Sequence, residues 1–185
     1  MAAPTKTMTL AEYLALPETN LRMEFWNGEV YQEANEMPAP RPAHQRLIRQ
    51  LYDALRSLAV EGEWWLAPTD VMIDAQHVVQ PDLFWIAPDS ACVLVEDRYW
   101  QGAPDLVIEV ISEATARRDR QTKYELYQRA GVREYWIVDP RDGSVEVFQR
   151  TDEGFRRVGI FYADDTLTSP LLNASLPLQG VLGGA

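Results

Sequence analysis

The sequence predicts a mixed α/β domain, a central sheet with helices on its faces. Three observations lead there. Asp105–Ser112, DLVIEVIS, is a near-continuous β-branched run of the kind found in a strand covered on both sides. Residues 43–59 and 115–130 instead repeat apolar side chains at helical spacing. The order along the chain is helix, hairpin, helix, strands, helix, strands.

Length and composition suit a single domain, 1–185, with a sizeable core: 185 residues, 46% hydrophobic and 24% charged. No apolar run approaches the ~18 residues of a membrane span. MAAPTKTMTL lacks the apolar stretch of a signal peptide, so no membrane partner and a cytoplasmic location are expected. A lone cysteine, Cys92, excludes an internal disulfide and suits a reducing compartment. Two histidines and one cysteine cannot build a thiolate–imidazole zinc centre, whereas abundant carboxylates leave open a hard, oxygen-liganded cation such as Mg²⁺. The net charge of −11 is the wrong sign for binding nucleic acid over the whole surface, so any phosphate contact must be local. Lysine occurs only at positions 6 and 123. Where nearly every cation is arginine, an internal lysine points either to a need for compact charge or to codon bias.

Each element has its own signal. Thr9–Leu16 reads as a short amphipathic helix capped by Thr9 and stopped at Pro17. Asn27-Gly28 predicts a hairpin in which Trp26 pairs with Glu29 and Glu24 with Tyr31. A Pro-rich connector, 37–42, leads to a helix over 43–59 with the stripe Leu47, Ile48, Leu51, Leu55 and Leu58. His44 is in phase with that stripe; Arg46 and Arg49 are not. Residues 64–67 and 69–73 are short strands, followed by a turn at 74–77. Pro81 cannot donate to a ladder, so Asp82 starts a strand running to Ile86. Residues 88–103 read as an irregular segment, a flap or a subunit contact. Thr115 can cap a helix that ends at Gly131, with Leu126, Tyr127 and Ala130 on its inner stripe and Lys123 in line with them. Glu134–Val138 is a strand, residues 144–149 and 155–162 a hairpin, and one last strand runs through Leu172 and Leu176.

Four ionisable residues break the apolar pattern of elements that otherwise look buried: Glu24 in the hairpin, Asp82 at a strand start, Glu109 inside the core strand, and Lys123 on a helix stripe. An ionised Glu109 among Leu106, Val107, Ile108, Val110 and Ile111 costs several kcal/mol unless donors or a cation meet it. That partner is a metal with a lysine, or, at a strand end, solvent or an arginine. Carboxylates on neighbouring strands can share a divalent ion, and a nearby lysine can orient a water and offset charge developing on a phosphate.

These residues carry a resemblance. Pro81-Asp82, followed by Glu109-Val110-Ile111 closing an apolar strand, resembles the signature of the PD-(D/E)xK nuclease superfamily. More narrowly, MEFWNGEVY, HQRLIRQL, VVQPDLFWI, GAPDLVIEVIS and RDRQTKYELYQRAGVREYWIVDP are similar, in order, to the Uma-type endonucleases, over residues 8–180. The resemblance implies a restriction endonuclease-like fold with a mixed central sheet flanked by helices. It also implies a Mg²⁺-dependent endonuclease (Mn²⁺ as the alternative ion) that hydrolyses phosphodiester bonds, with DNA as substrate and a homodimer as the binding form. Asp82 and Glu109 then bind the metal. The superfamily's lysine lies two residues beyond the glutamate, where this chain has Ile111. The resemblance implies that Lys123, on the following helix, replaces it, and it adds Glu24 and His44 near the site.

Plainer roles stand beside these. Asp82 can be a turn device, Lys123 can snorkel to water, Glu24 can face solvent, and His44 can be a hydrogen-bonded core group. His77 reads as a loop residue. Trp64, Trp65, Trp85 and Trp100 read as core or dimer contact. Asp105, Asp119 and Asp139 read as boundary or capping groups, and Arg117, Arg118 and Arg120 as a solvated face. Two other functions compete with the nuclease: a nuclease-fold binding or assembly module without turnover, and a metal-dependent hydrolase of small phosphodiesters. A patch of Arg41, Arg46, Arg49, Arg117, Arg118 and Arg120 around the site would favour the nuclease.

Overall fold

A six-stranded mixed sheet forms the centre of the structure, a computed structural model that describes residues 6–19, 21–32, 42–112 and 115–183. The chain forms, in order, β1 (Lys6–Thr7), α1 (Leu10–Leu14), β2 (Met23–Trp26), β3 (Glu29–Gln32), α2 (Pro42–Ser57), β4 (Glu63–Leu66), β5 (Val71–Asp74), β6 (His77–Val79), β7 (Leu83–Ile86), β8 (Val93–Val95), β9 (Tyr99–Gln101) and β10 (Leu106–Val110). A π-helical segment (Arg118–Lys123) runs directly into α3 (Tyr124–Ala130). Then come β11 (Glu134–Asp139), β12 (Ser144–Thr151), β13 (Gly154–Tyr162), β14 (Thr166–Ser169), β15 (Ala174–Pro177) and α4 (Gln179–Leu182).

The central sheet has the order β13-β12-β11-β10-β7-β4. Its middle strands LFWI, LVIEV and EYWIVD are buried along their whole length, as their unbroken apolar character predicts. β10 and β11 run parallel, and the other neighbours in this sheet are antiparallel. One face receives Leu47, Ile48, Leu51 and Leu55 of α2 against Leu83, Trp85, Leu106, Ile108, Trp136 and Val138. Leu51 and Leu55 are fully buried, which stabilises the fold by about 1.5–3 kcal/mol each. The other face packs Phe84, Val107, Tyr135 and Ile137 against Leu126 and Tyr127 of α3 and against strands of a second, seven-stranded sheet, β1-β3-β2-β6-β5-β9-β8. Glu134, wholly buried, accepts hydrogen bonds from Trp136 Nε1, Ser169 Oγ and Leu171 N, and so docks the closing hairpin β14–β15.

The hairpin at Asn27-Gly28 has the expected register, Trp26 opposite Glu29 and Glu24 opposite Tyr31. Both turn residues take the positive φ that such a turn requires. Thr9 caps α1 in a capping box with Glu12, and Gly131 ends α3 in the left-handed conformation.

Several expectations are corrected. Residues 88–103 contain β8 and β9 in the second sheet, because β9 finds a parallel partner in β5 that short-range pattern does not disclose. His77 is a buried β6 residue whose ring meets Trp26 edge-on and whose Nδ1 lies 2.7 Å from Asp74. The C-terminal segment forms two strands and a short helix, not one strand. The tryptophans need no correction: Trp85 and Trp100 are buried in the core, with Trp64 packed on Trp85 and Trp65 on Trp100. The Pro-rich connector and Arg41 lie outside the described residues, apart from Pro42, which opens α2.

Candidate functional site

The register of β7 against β10 pairs Leu83 with Ile108. Continued by one residue, it sets Asp82 opposite Glu109. Directly opposed residues share a sheet face, with Cβ atoms roughly 4.5–5.5 Å apart. Here that face is the one carrying Phe84 and Val107, which α3 covers. Asp82 Oδ2 accepts the Val110 amide at 2.7 Å, which fixes its carboxylate against the end of β10. Both carboxylates are almost wholly buried, at 3% and 2% exposure.

Lys123 enters from the helix above. Its Nζ donates to Glu109 Oε1 at 2.8 Å, and it lies 3.1 Å from Glu24 Oε1 and 3.6 Å from Asp119 Oδ1. The lysine therefore does not snorkel to water; it is 4% exposed. Tyr127 OH donates to the same Glu109 Oε1 at 2.8 Å, leaving Oε2 outside these bonds. Glu24 reaches in from β2: its Oε2 accepts from Trp26 Nε1 at 3.0 Å and pairs with Arg118, and its Oε1 accepts from the Gln80 amide at 3.3 Å. Arg118 also lies over the rings of Trp26 and Tyr31. Arg22 Nη2 is 2.8 Å from Asp82 Oδ1 and donates to the Gln80 carbonyl at 2.7 Å.

The π-helical turn explains how so many groups meet. Closing i→i+5 instead of i→i+4 brings Arg118 into line with Lys123, while Asp119 stays one turn from it. A single widened turn thereby points two cations and a carboxylate inward.

His44 lies in the first turn of α2, the helix on the opposite face of the sheet. Its Nε2 lies 2.9 Å from the Val110 carbonyl and 3.8 Å from Asp82 Oδ2. A carbonyl only accepts, so Nε2 carries the proton and, in a neutral ring, Nδ1 is the bare nitrogen. That Nδ1 is buried without a hydrogen-bond partner.

Electrostatics divide the carboxylates. Burial pushes the Glu24 carboxyl up, but Lys123, then Arg118 and Arg22, outweigh it and hold it down at about 2. Burial dominates at Glu109, with Asp119 and Asp82 adding repulsion, and its carboxyl is pushed up in spite of Lys123. Burial likewise raises Asp119. Lys123 loses solvation, yet Glu109, Glu24 and Asp119 together strengthen its hold on the proton. Four carboxylates thus meet three cations.

This arrangement fits a hard divalent ion. Asp82 Oδ1 is buried and receives no hydrogen bond of acceptable geometry, although Arg22 Nη2 is close; the nitrogen lies out of line. Repulsion between Asp82 and Glu109 is what such an ion relieves. Among the described residues no three His, Cys, Asp or Glu side chains converge at ligand spacing. The protein would supply Asp82 and Glu109, with water and substrate completing the shell, as suits Mg²⁺.

All five expected residues, Glu24, His44, Asp82, Glu109 and Lys123, converge. Asp119 is corrected from a capping group to a buried partner of Lys123. Arg118 and Arg120 are corrected from a solvated face: Arg118 binds Glu24, and Arg120 binds Glu146 and lies 3.5 Å from Asp139. Arg22 and Tyr127 were not anticipated as site residues. A signal existed for Tyr127 and Asp119, each four residues from Lys123 on one helix. None existed for Arg22, which precedes β2 outside any periodic element.

Known proteins can now be set beside this geometry. The model of the Uma2 family, described as "Putative restriction endonuclease", matches residues 10–179. The chain belongs to the Uma2 family. It is also similar in structure to a protein from Anabaena variabilis, described as "a putative nuclease belonging to DUF820". The TM-score is 0.72 and the identity 20%, over 95% of this chain and 98% of that one. At that identity the likeness establishes the shared fold alone. No curated protein matches the chain. No helix among the described residues is long and apolar enough to cross a membrane.

Proposed function

We propose that this Uma2 protein is a Mg²⁺-dependent endonuclease that hydrolyses phosphodiester bonds in DNA and acts as a homodimer. The observation that carries the reading is Lys123 Nζ, 2.8 Å from Glu109 Oε1, on the sheet face that Glu109 shares with Asp82. Asp82 and Glu109 hold the ion, which when bound supplies Lewis-acid polarisation of the scissile phosphate. Lys123 orients the attacking water and offsets charge on the phosphate. Tyr127 fixes Glu109 Oε1, which leaves Oε2 as the oxygen that would meet the ion. Glu24 sets the position of Lys123 from the far side, and His44 supports Asp82 and the end of β10.

Plasmid nicking with Mg²⁺ or Mn²⁺ tests this reading, comparing wild type with Asp82→Ala, Glu109→Ala and Lys123→Ala. Loss of at least about 100-fold in each variant is expected, the scale of removing one electrostatic contribution to the transition state. Equal nicking by all four proteins would trace the activity to a contaminant and remove the assignment. A second reading, a nuclease-fold binding module without turnover, is favoured by one observation: Arg118 and Arg120 are committed to carboxylates and not held for DNA. It predicts no divalent-dependent nicking by wild type.

A further inference from the structure

Three residues, Gln80-Pro81-Asp82, carry the chain from β6 in the second sheet to β7 in the central one. Asp82 closes this crossing, Pro81 brings it no N–H, and Gln80 opens it. The register of β2 against β6 pairs Phe25 with Val78 and Trp26 with His77. Continued by two residues, it sets Met23 opposite Gln80. There side chains take over from the ladder. The Met23 amide donates to Gln80 Oε1 at 3.1 Å, and the Gln80 amide donates to Glu24 Oε1 at 3.3 Å. Each strand thus satisfies its neighbour's backbone N–H with a side-chain oxygen. On its other side Gln80 Nε2 donates to Asp70 Oδ1 at 2.8 Å, an oxygen that also accepts from Tyr13 OH at 3.3 Å.

An acceptor facing an N–H and a donor facing a carboxylate call for an amide, and they fix which way the Gln80 side chain is turned. Gln80 is buried, so losing either bond leaves a polar partner unsatisfied. The Glu24 oxygen that takes the Gln80 amide is also the one 3.1 Å from Lys123 Nζ. Lys123 in turn donates to Glu109. Resting on the reading that Lys123 orients the attacking water, we infer that Gln80 is a positioning residue of the site: it holds Glu24, and through Glu24 the ammonium of Lys123, in place against Asp82 two residues further along the same crossing. Its effect on the lysine passes through Glu24 and vanishes when Glu24 is removed.

A double-mutant cycle on plasmid nicking at saturating Mg²⁺ tests this. Gln80→Met keeps the length of the side chain without either bond. It is expected to lower kcat about tenfold, the low end of what outer hydrogen-bond partners contribute, with KM for the plasmid within about twofold. In a Glu24→Ala background the same change should cost less than about twofold. If the two losses multiply instead, Gln80 acts without Glu24 and the inference falls. Ser169→Ala removes a buried hydroxyl from Glu134 in the closing hairpin; it should lower the melting temperature and leave kcat within about twofold. A tenfold drop there would tie kcat to stability alone and overturn the inference. If Gln80→Met lacks native circular dichroism, Gln80→Glu replaces it. That variant keeps an acceptor for the Met23 amide but turns an oxygen toward Asp70, so about a threefold loss of kcat is expected, and no loss overturns. Urea unfolding of the same four proteins needs neither ion nor turnover: the two changes should be coupled by at least about threefold in the unfolding equilibrium constant, and independent losses count against the inference. Nicking by wild type with no coupling sinks this inference alone. No nicking by wild type sinks it together with the metal-dependent function.

Discussion

Glu24 and Glu109 are both buried and share one lysine, yet their carboxyls move in opposite directions, because Arg118 adds to the cations that hold Glu24 down whereas Asp119 and Asp82 add repulsion to the burial that raises Glu109. Each shift changes stability with its own sign. A carboxyl held near 2 in the fold and near 4.5 when unfolded stabilises the protein above about pH 4.5 and loses that contribution as pH falls through 2. A carboxyl raised in the fold does the reverse, costing stability as pH rises above its unfolded value. Glu24→Gln isolates the first effect. The stability difference between wild type and variant should shrink by on the order of 3 kcal/mol between pH 5 and pH 2. Urea unfolding measures it, in dilute protein because the isoelectric point, 4.6, falls in that window. A difference constant with pH would mean that Glu24 is not held ionised by its neighbours. At this scale Asp82, Glu109 and Lys123 were legible because each interrupts an apolar pattern. Asp119 and Arg118 lie in the polar run RRDRQTK, where a buried ion pair and a solvated charge look the same.

The helix over Arg118–Ala130 shows how one element both forms and hides the site. Its apolar stripe at Leu126 and Tyr127, with its glycine stop, predicted the helix, and those residues do pack on the sheet. The π turn was not legible, since a widened turn adds a single residue to a period judged over many. Nor were β8 and β9, three residues each, too short to display alternation. The π turn itself is testable. Deleting the exposed Gln121 lets the turn close as an α-helix, which rotates Arg118 and Asp119 by about 100° relative to Lys123. The Arg118–Glu24 pair is then lost while α3 keeps its packing. Nicking should fall at least about 100-fold, with the melting temperature lower by only about 2–4 °C per kcal/mol lost. Full activity in the deletion would mean that the widened turn does not position the site.

At the scale of the whole molecule, the charge of −11 opposes the approach of a polyanion, so the proposed contact with DNA must be local. Lys123, Arg118 and Arg22 are matched to carboxylates, and Arg120 and Arg157 to Glu146. Arg46 and Arg49 on the outer face of α2, and Arg117 before the π turn, are exposed, and no carboxylate among the described residues pairs with them. If these three carry the phosphate contacts, duplex binding releases few counterions. The logarithm of the affinity should then fall against the logarithm of salt with a slope of about −3, close to 0.9 per phosphate neutralised. Anisotropy of a labelled duplex, titrated at fixed Ca²⁺ over a series of KCl concentrations, gives the slope directly. A value steeper than about −6 would demand a broad basic face and contradict the pairing of the arginines described here. A shallow slope has a second consequence: with so little affinity from the backbone, productive binding under the proposed function would draw on a divalent ion held by Asp82 and Glu109. Affinity for the duplex should therefore fall with chelation of the divalent ion more than with the loss of any one of those three arginines.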